Sequence, residues 1–140
     1  MQEKIESSTT VFLAAQSFAV AGASRDRSKY GNRVFQALLA SGRTVYPLNP
    51  LAPEVEGHAA YASIADLPEF PESLSIVTPP SVTRQVVQQA IAAGVQNIWM
   101  QPGAEDSQAS QLARKAGLNV IDDRSCILVQ LALEATKRKR

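Results

Sequence analysis

One cysteine and one histidine stand in the 140 residues of this chain. A lone cysteine cannot close an internal disulfide, and the two residues together cannot supply a zinc site. No apolar run approaches the ~20 residues that a membrane span requires. The opening MQEKIESSTT has no basic stretch followed by an apolar one, so it does not read as a secretory signal. These absences leave cytoplasm as the default location and argue against a membrane partner. Charge is scarce too. Charged residues make up 19% of the chain and the net charge is +1, so no overall basic field recruits nucleic acid. Any anion site must come from local clustering of cations.

What is present suits a folded domain. Hydrophobic residues reach 45%, which excludes a disordered chain, and the length fits one domain with its own core. We expect that domain to span 1–140, with a leading helix inside 1–16 and a basic tail at 136–140. The terminal run KRKR reads as a solvated extension. Positions 8–16 suit a short helix, with Ser8, Thr9 or Thr10 as its N-cap. The apolar run 18–22 is the first strand. Positions 32–41 carry Val34, Phe35, Leu38 and Leu39 at helical spacing and are closed by Gly42. A second strand follows at 43–48, with Pro47 expected near its end. Positions 51–57 are a turn bounded by Pro and Gly, and 61–67 hold one helical turn behind Ser63. Strands at 74–78, 95–100 and 118–121 alternate with helices at 81–93 and from Asp106 or Ser107 to 116, and a helix at 126–135 ends the pattern.

The strands are short continuous apolar runs, which argues for a parallel sheet buried on both faces. The expected fold is therefore α/β: a Rossmann-like doubly wound, mainly parallel five-stranded sheet with helices on both faces, in strand order 3-2-1-4-5. Ligands bind such sheets beyond the carboxyl ends of the strands. That rule picks out positions 23–31, 49–53, 78–81 and 101–104, each rich in Gly, Pro or small polar residues.

The stretch FAVAGASRDRSKYG at 18–31 is the most informative. It runs from a buried strand into a Gly/Ser turn, then through basic residues to a glycine at the mouth of a helix. Backbone N–H groups of such a turn face an anion. Arg25, Arg27, Lys29 and Arg33 fall close together and only Asp26 offsets them. The turn departs from the dinucleotide fingerprint, because Ser24 stands where its second glycine belongs. Its hydroxyl can itself donate to a phosphate. The second strand ends in Asn49-Pro50 without the acid that holds a ribose 2′-hydroxyl, which counts against NAD, while NADP stays open. Coenzyme A, with a pyrophosphate and a 3′-phosphate, suits the loop electrostatically.

The runs VAGASRDRSKYGNRVFQALLASGRTVYPLNP, YASIADLP, VTPPSVTRQVVQQAIAAGVQNIWMQPGA and GLNVIDDRSC cover most of positions 18–126. Together they resemble the small stand-alone CoA-binding domain family. That family is related to the N-terminal domain of the succinyl-CoA synthetase alpha subunit and of ADP-forming acyl-CoA synthetases. The resemblance implies a site for coenzyme A or an acyl-CoA at the carboxyl edge of the sheet. Carried over by position, it implies that Gly22, Ala23, Ser24, Arg25, Lys29, Tyr30 and Gly31 surround the phosphates. Asn49 and Pro50 would lie along the adenosine, and Thr78, Pro79 and Pro80 at the nucleotide or the start of the pantetheine arm. Gln101 and Gly103 would line the pantetheine path. Arg27 stands where that family often has proline, and Ser125-Cys126 where an Arg-Cys pair is common.

His58 has no Ser, Cys or carboxylate partner nearby in sequence and reads as a surface residue. Asp122 and Asp123 read as a cap and a surface charge, and Trp99 and Met100 as core. Cys126 reads as a small hydrophobe at a helix start, with a thiol facing the CoA sulfur as the sharper alternative. No catalytic constellation is visible, so the expectation is a non-catalytic or regulatory CoA-binding module without a metal. Two alternatives stand: an NAD(P)-binding oxidoreductase-type domain, and a detached CoA-binding subunit of an acyl-CoA ligase. A second copy or a partner subunit remains open.

Overall fold

The computed structural model describes residues 7–138. Its first helix, α1 (Ser8–Leu13), is capped by Ser7, whose hydroxyl accepts from the Thr10 N–H, and not by the three residues expected. The expected start of the chain at 1–6 lies outside the described residues. Strand β1 (Phe18–Ala21) leads to α2 (Tyr30–Ala40) and β2 (Val45–Leu48). The turn expected at 51–57 is instead built as a small hairpin, β3 (Glu54–Val55) and β4 (His58–Ala59). A 3₁₀ turn at Ile64–Asp66 precedes β5 (Ser73–Ile76) and α3 (Pro80–Ala93). The chain continues through β6 (Asn97–Met100), α4 (Ser107–Lys115), β7 (Asn119–Ile121) and α5 (Ile127–Arg138). The last helix thus runs past the boundary expected at 135. The rest of the expected basic tail, 139–140, lies outside the described residues. No described helix is long and apolar enough to cross a membrane.

Local chemistry accounts for the helix limits. Pro80 opens α3 at a position where its missing N–H costs nothing, and Gly94 closes it in the left-handed region. Asp106 caps α4 by accepting from the Ala109 N–H.

The strands β1, β2, β5, β6 and β7 form one parallel sheet in the order β2-β1-β5-β6-β7. The α/β doubly wound class is as expected, but the strand order is 2-1-3-4-5 and not 3-2-1-4-5. The outer edge of β2 is already occupied by the chain's own connection. The Tyr61 N–H donates to the Pro47 carbonyl at 3.0 Å, and the Asn49 N–H donates to the Tyr61 carbonyl at 2.9 Å. Pro47, third of the four β2 residues, offers no N–H to a further strand. The third long strand therefore crosses over and pairs with β1 on its other side.

Strand residues alternate between two layers. Ala19, Ala21, Leu74, Ile76, Ile98 and Met100 face α3, α4 and the 3₁₀ turn through Val87, Ala90, Ala109, Ala113 and Ile64. Phe18, Val20, Trp99 and Ile121 face the other helices through Phe12, Val34, Phe35, Leu38, Ile127 and Leu131. Trp99 is fully buried, edge-on to Phe12, with its indole N–H donating to the Ser125 carbonyl at 3.0 Å. Met100 is buried as expected.

The order 2-1-3-4-5 puts the topological switch point between β1 and β5. Backbone meets backbone there. A Cβ on Gly22 (φ +87°) would lie 2.0 Å from the Val77 carbonyl oxygen, and a Cβ on Gly31 would lie 2.0 Å from the Gly22 carbonyl oxygen. Neither neighbour is a flexible side chain that could swing away. Gly42 also has positive φ (+85°), yet its missing Cβ would meet nothing within 4 Å. We expect Gly31→Ala to cost about 3 kcal/mol or more, and Gly42→Ala about 1 kcal/mol, in urea unfolding. Equal costs at the two positions would contradict the contact.

Candidate functional site

A cleft of about 600 Å³ opens at this switch point. It is lined by Gly22, Ala23, Ser24, Lys29, Tyr30, Gly31, Asn49, Pro50, Leu51, Val77 and Pro79. Three of the four expected loop segments meet in it. Leu51, 93% exposed, and Val77 are lining residues that the sequence reading did not name. Among the described residues no carboxylate lines the cleft.

The loop between β1 and α2 folds on its own side chains. Ser24 Oγ accepts from the Asp26 N–H at 3.0 Å, which leaves its hydroxyl hydrogen free to donate elsewhere. Asp26 Oδ1 accepts from both the N–H and the hydroxyl of Ser28. Helix α2 then begins at Tyr30 with no side-chain cap. Its first N–H groups are free to receive an anion, and the helix dipole favours one there. Arg25, Lys29 and Arg33 are exposed and make no ion pair among the described residues.

Arg27 differs. Its guanidinium binds the Glu56 carboxylate from the tip of the β3–β4 hairpin at 3.0–3.3 Å. The loop is therefore less positive than its own sequence suggests, because Glu56 lies 29 residues away along the chain. Asn32, fully buried, donates to both the Ser24 carbonyl and Glu56. Asn49 ties the second loop to the first. Its amide donates to the Ala23 carbonyl at 2.9 Å, and its carbonyl oxygen accepts from the N–H groups of Leu51 and Ala52.

Several expected site residues stand elsewhere or are otherwise engaged. Gln101 does not line an open path. It is fully buried; its Oε1 accepts from the Tyr30 hydroxyl at 3.1 Å and the Ile127 N–H at 3.0 Å, and its Nε2 donates to Ser75 Oγ at 3.1 Å. It caps α5 from another strand and holds Tyr30 from behind. Gly103 does not line the cleft, and its N–H is taken by the Glu105 carboxylate. Thr78 Oγ1 pairs with Thr83 Oγ1 at 2.7 Å, and Pro80 opens α3; neither lines the cleft. Arg25 is also absent from the lining.

Cys126 is half-buried, with its sulfur 2.6 Å from the Tyr30 hydroxyl. Burial, followed by this contact, pushes the Tyr30 phenol above the ordinary tyrosine range. His58 is exposed, with its ring edge-on to Phe35. Asp122 pairs with Arg114 at 2.8 Å, and Asp123 accepts from Ser125. Among the described residues no group of three or more His, Cys, Asp or Glu side chains is placed to hold a metal.

A family profile described as "CoA binding domain" matches residues 16–132. The alpha subunit of an ADP-forming acetate–CoA ligase II from Pyrococcus furiosus is 29% identical over 121 residues, covering 79% of this chain and 26% of the subunit. The chain thus spans about a quarter of the length of that curated relative. Among solved structures, a conserved hypothetical protein from Pyrococcus furiosus is 37% identical with a TM-score of 0.77, covering 82% of this chain and 98% of that one. A dinucleotide-forming acetyl-coenzyme A synthetase from Ca. Korarchaeum cryptofilum, in complex with phosphate and ADP, is 28% identical with a TM-score of 0.70, covering 78% of this chain and 26% of that one.

Gln101→Leu deprives the Tyr30 hydroxyl and the Ile127 N–H of their shared acceptor. We expect a loss of about 2–4 kcal/mol in urea unfolding, since buried donors are left without acceptors. A loss within error of zero would contradict the buried bridge. The carboxyl groups of Glu56 and Asp26 make a second test. Hydrogen bonds from Arg27 and then Asn32 hold Glu56 below its ordinary value, and those from Ser28 hold Asp26 below its own. The stability each lends is complete above the unfolded-state pKa and is lost as pH falls through the lower folded-state pKa. Carbon-13 titration of the carboxyl groups should place both midpoints below the free-peptide values; a Glu56 midpoint at or above its own would contradict the ion pair.

Proposed function

The chain belongs to the CoA-binding domain family, and on that premise we propose that the cleft between the ends of β1 and β5 binds coenzyme A or an acyl-CoA, as a binding or regulatory module rather than a catalyst. The observation that carries this reading is the uncapped start of α2, where two glycines leave the backbone bare beside an unpaired lysine. That is a setting for a phosphate group approached by main chain.

The first N–H groups of α2 and the Ser24 hydroxyl donate to the pyrophosphate. Gly22 and Gly31 admit it, Ala23 shapes the turn, and Arg25 and Lys29 neutralise it. Asn49 and Pro50, joined by the exposed Leu51, border the adenosine. Pro79 flanks the start of the pantetheine arm, and Gln101 acts through Tyr30. Coenzyme A, when bound, supplies the thiol that carries an acyl group; the chain binds and orients it. Tyr30 has given its one hydroxyl hydrogen to Gln101 and serves as a wall of the cleft.

The NAD reading is weaker because the Asn49 side-chain oxygen, at the end of β2, already accepts from the N–H groups of Leu51 and Ala52 and offers the ribose no free acceptor. A role as the CoA-binding part of an acyl-CoA ligase has support in the match to about a quarter of a ligase subunit. Co-purification with a separate nucleotide-binding subunit would favour it.

Calorimetric titration with coenzyme A, beside acetyl-CoA, NAD, NADP and ATP at fixed salt, tests the reading. We expect saturable binding of coenzyme A, weakened by added salt. Lys29→Ala and Ser24→Ala should each weaken it about five- to twentyfold through loss of a charge-assisted hydrogen bond. Tight binding of NAD or NADP without coenzyme A would overturn the proposal.

A further inference from the structure

The β3–β4 hairpin contributes nothing to the cleft lining, yet its tip reaches the loop on which the cleft depends. Glu56 and Gly57 form its two-residue turn, with φ of +49° and +78°. Both lie in the left-handed region of a type I′ turn, which suits Asn, Asp or Gly and disfavours glutamate. Strained residues of this kind persist where the surroundings over-determine them.

The contacts of Glu56 are unequal in kind. Its side chain is only 15% exposed, whereas that of Arg27 is 78% exposed. Asn32 is fully buried, and its amide nitrogen has two hydrogens. One goes to the Ser24 carbonyl at 2.8 Å, the other to Glu56 Oε2 at 2.9 Å. The Asn32 oxygen takes Gln36. Asn32 therefore needs an acceptor at position 56 to hold Ser24 in place, and any oxygen there would serve. Glu56 in turn places a negative charge beside a loop suited to anions, and Arg27 cancels it.

We propose that Glu56 positions the phosphate loop through Asn32, and that Arg27 neutralises Glu56 instead of binding the ligand. The choice of ligand rests on the coenzyme A reading above; the geometry does not. Arg27 thereby leaves the set of cations available to a bound phosphate, and Arg25, Lys29 and Arg33 remain.

Four variants separate this role from its rivals: Glu56→Gln, Glu56→Ala, Arg27→Ala and the double variant Arg27→Ala/Glu56→Gln. Glu56→Gln keeps an acceptor for Asn32 and sheds the charge, so it should bind coenzyme A at least as tightly as the parent. Glu56→Ala sheds the same charge and loses the acceptor, and should bind about tenfold more weakly. Arg27→Ala leaves the carboxylate uncancelled and should weaken binding about three- to tenfold, and the double variant, neutral like the parent pair, should restore the parent's affinity to within about twofold. A purely electrostatic role for Glu56 predicts that Glu56→Gln and Glu56→Ala tighten binding equally. A ligand-binding role for Arg27 predicts no rescue in the double variant. Either result overturns the proposal. Hydrogen exchange of the amides at 24–29 in the ligand-free protein provides a readout that does not need coenzyme A. Exchange should quicken in Glu56→Ala and stay unchanged in Glu56→Gln; equal rates in both would also overturn it. If the parent binds no coenzyme A, the reading of the ligand fails and the exchange rates alone decide the role of Glu56.

Discussion

Three backbone segments touch without an intervening side chain where β1 ends. Gly22 lies against the Val77 carbonyl, and Gly31 lies against the Gly22 carbonyl. The other features of the carboxyl edge depend on that contact. It brings the start of α2 down onto the end of β1 and sets both beside β5, so the uncapped N–H groups of the helix open at the switch point of the sheet. A side chain at either glycine would separate the helix from the strand. The cleft would then lose the close main-chain approach that a phosphate group requires.

Loops at a sheet edge have no ladder to satisfy their backbone, so another source of hydrogen bonds must fix them. Here side-chain amides do so. Asn49 joins the loop after β2 to the Ala23 carbonyl, Asn32 joins the start of α2 to the Ser24 carbonyl, and Gln101 caps α5 from the end of β6. Each is neutral and brings no competing charge to an anion site. The Glu56 carboxylate, which accepts from Asn32, is matched by Arg27. The amino edge uses the same device: Asn97 and Asn119 reach the carbonyls of Glu72 and Ser8.

The same architecture covers nearly all of one solved structure and about a quarter of an acetyl-coenzyme A synthetase. The contacts that shape the cleft, from the Gly22 junction to the Asn49 and Gln101 bridges, join segments far apart along the chain.

The sequence by itself determined the element types, the parallel two-faced sheet and the glycine-flanked loop. These follow from short-range signals. Continuous apolar runs mark buried strands, and helical spacing closed by Gly42 or Gly94 marks the helices. The order of the strands was decided only in three dimensions, because it turns on Tyr61 occupying the outer edge of β2, a pairing between segments with no shared local pattern. The roles of the polar residues were decided there as well. Gln101 stands in a Gln-Pro-Gly turn that reads as exposed, yet its partners are Tyr30, Ser75 and Ile127, far away along the chain. Arg27 counts as a free cation in sequence and is paired in the fold, because Glu56 belongs to a hairpin that nothing near Arg27 announces. Hydrophobic period and turn chemistry are encoded within a few residues. A hydrogen bond or ion pair between distant segments exists only once the chain has closed its loops and brought both partners into reach.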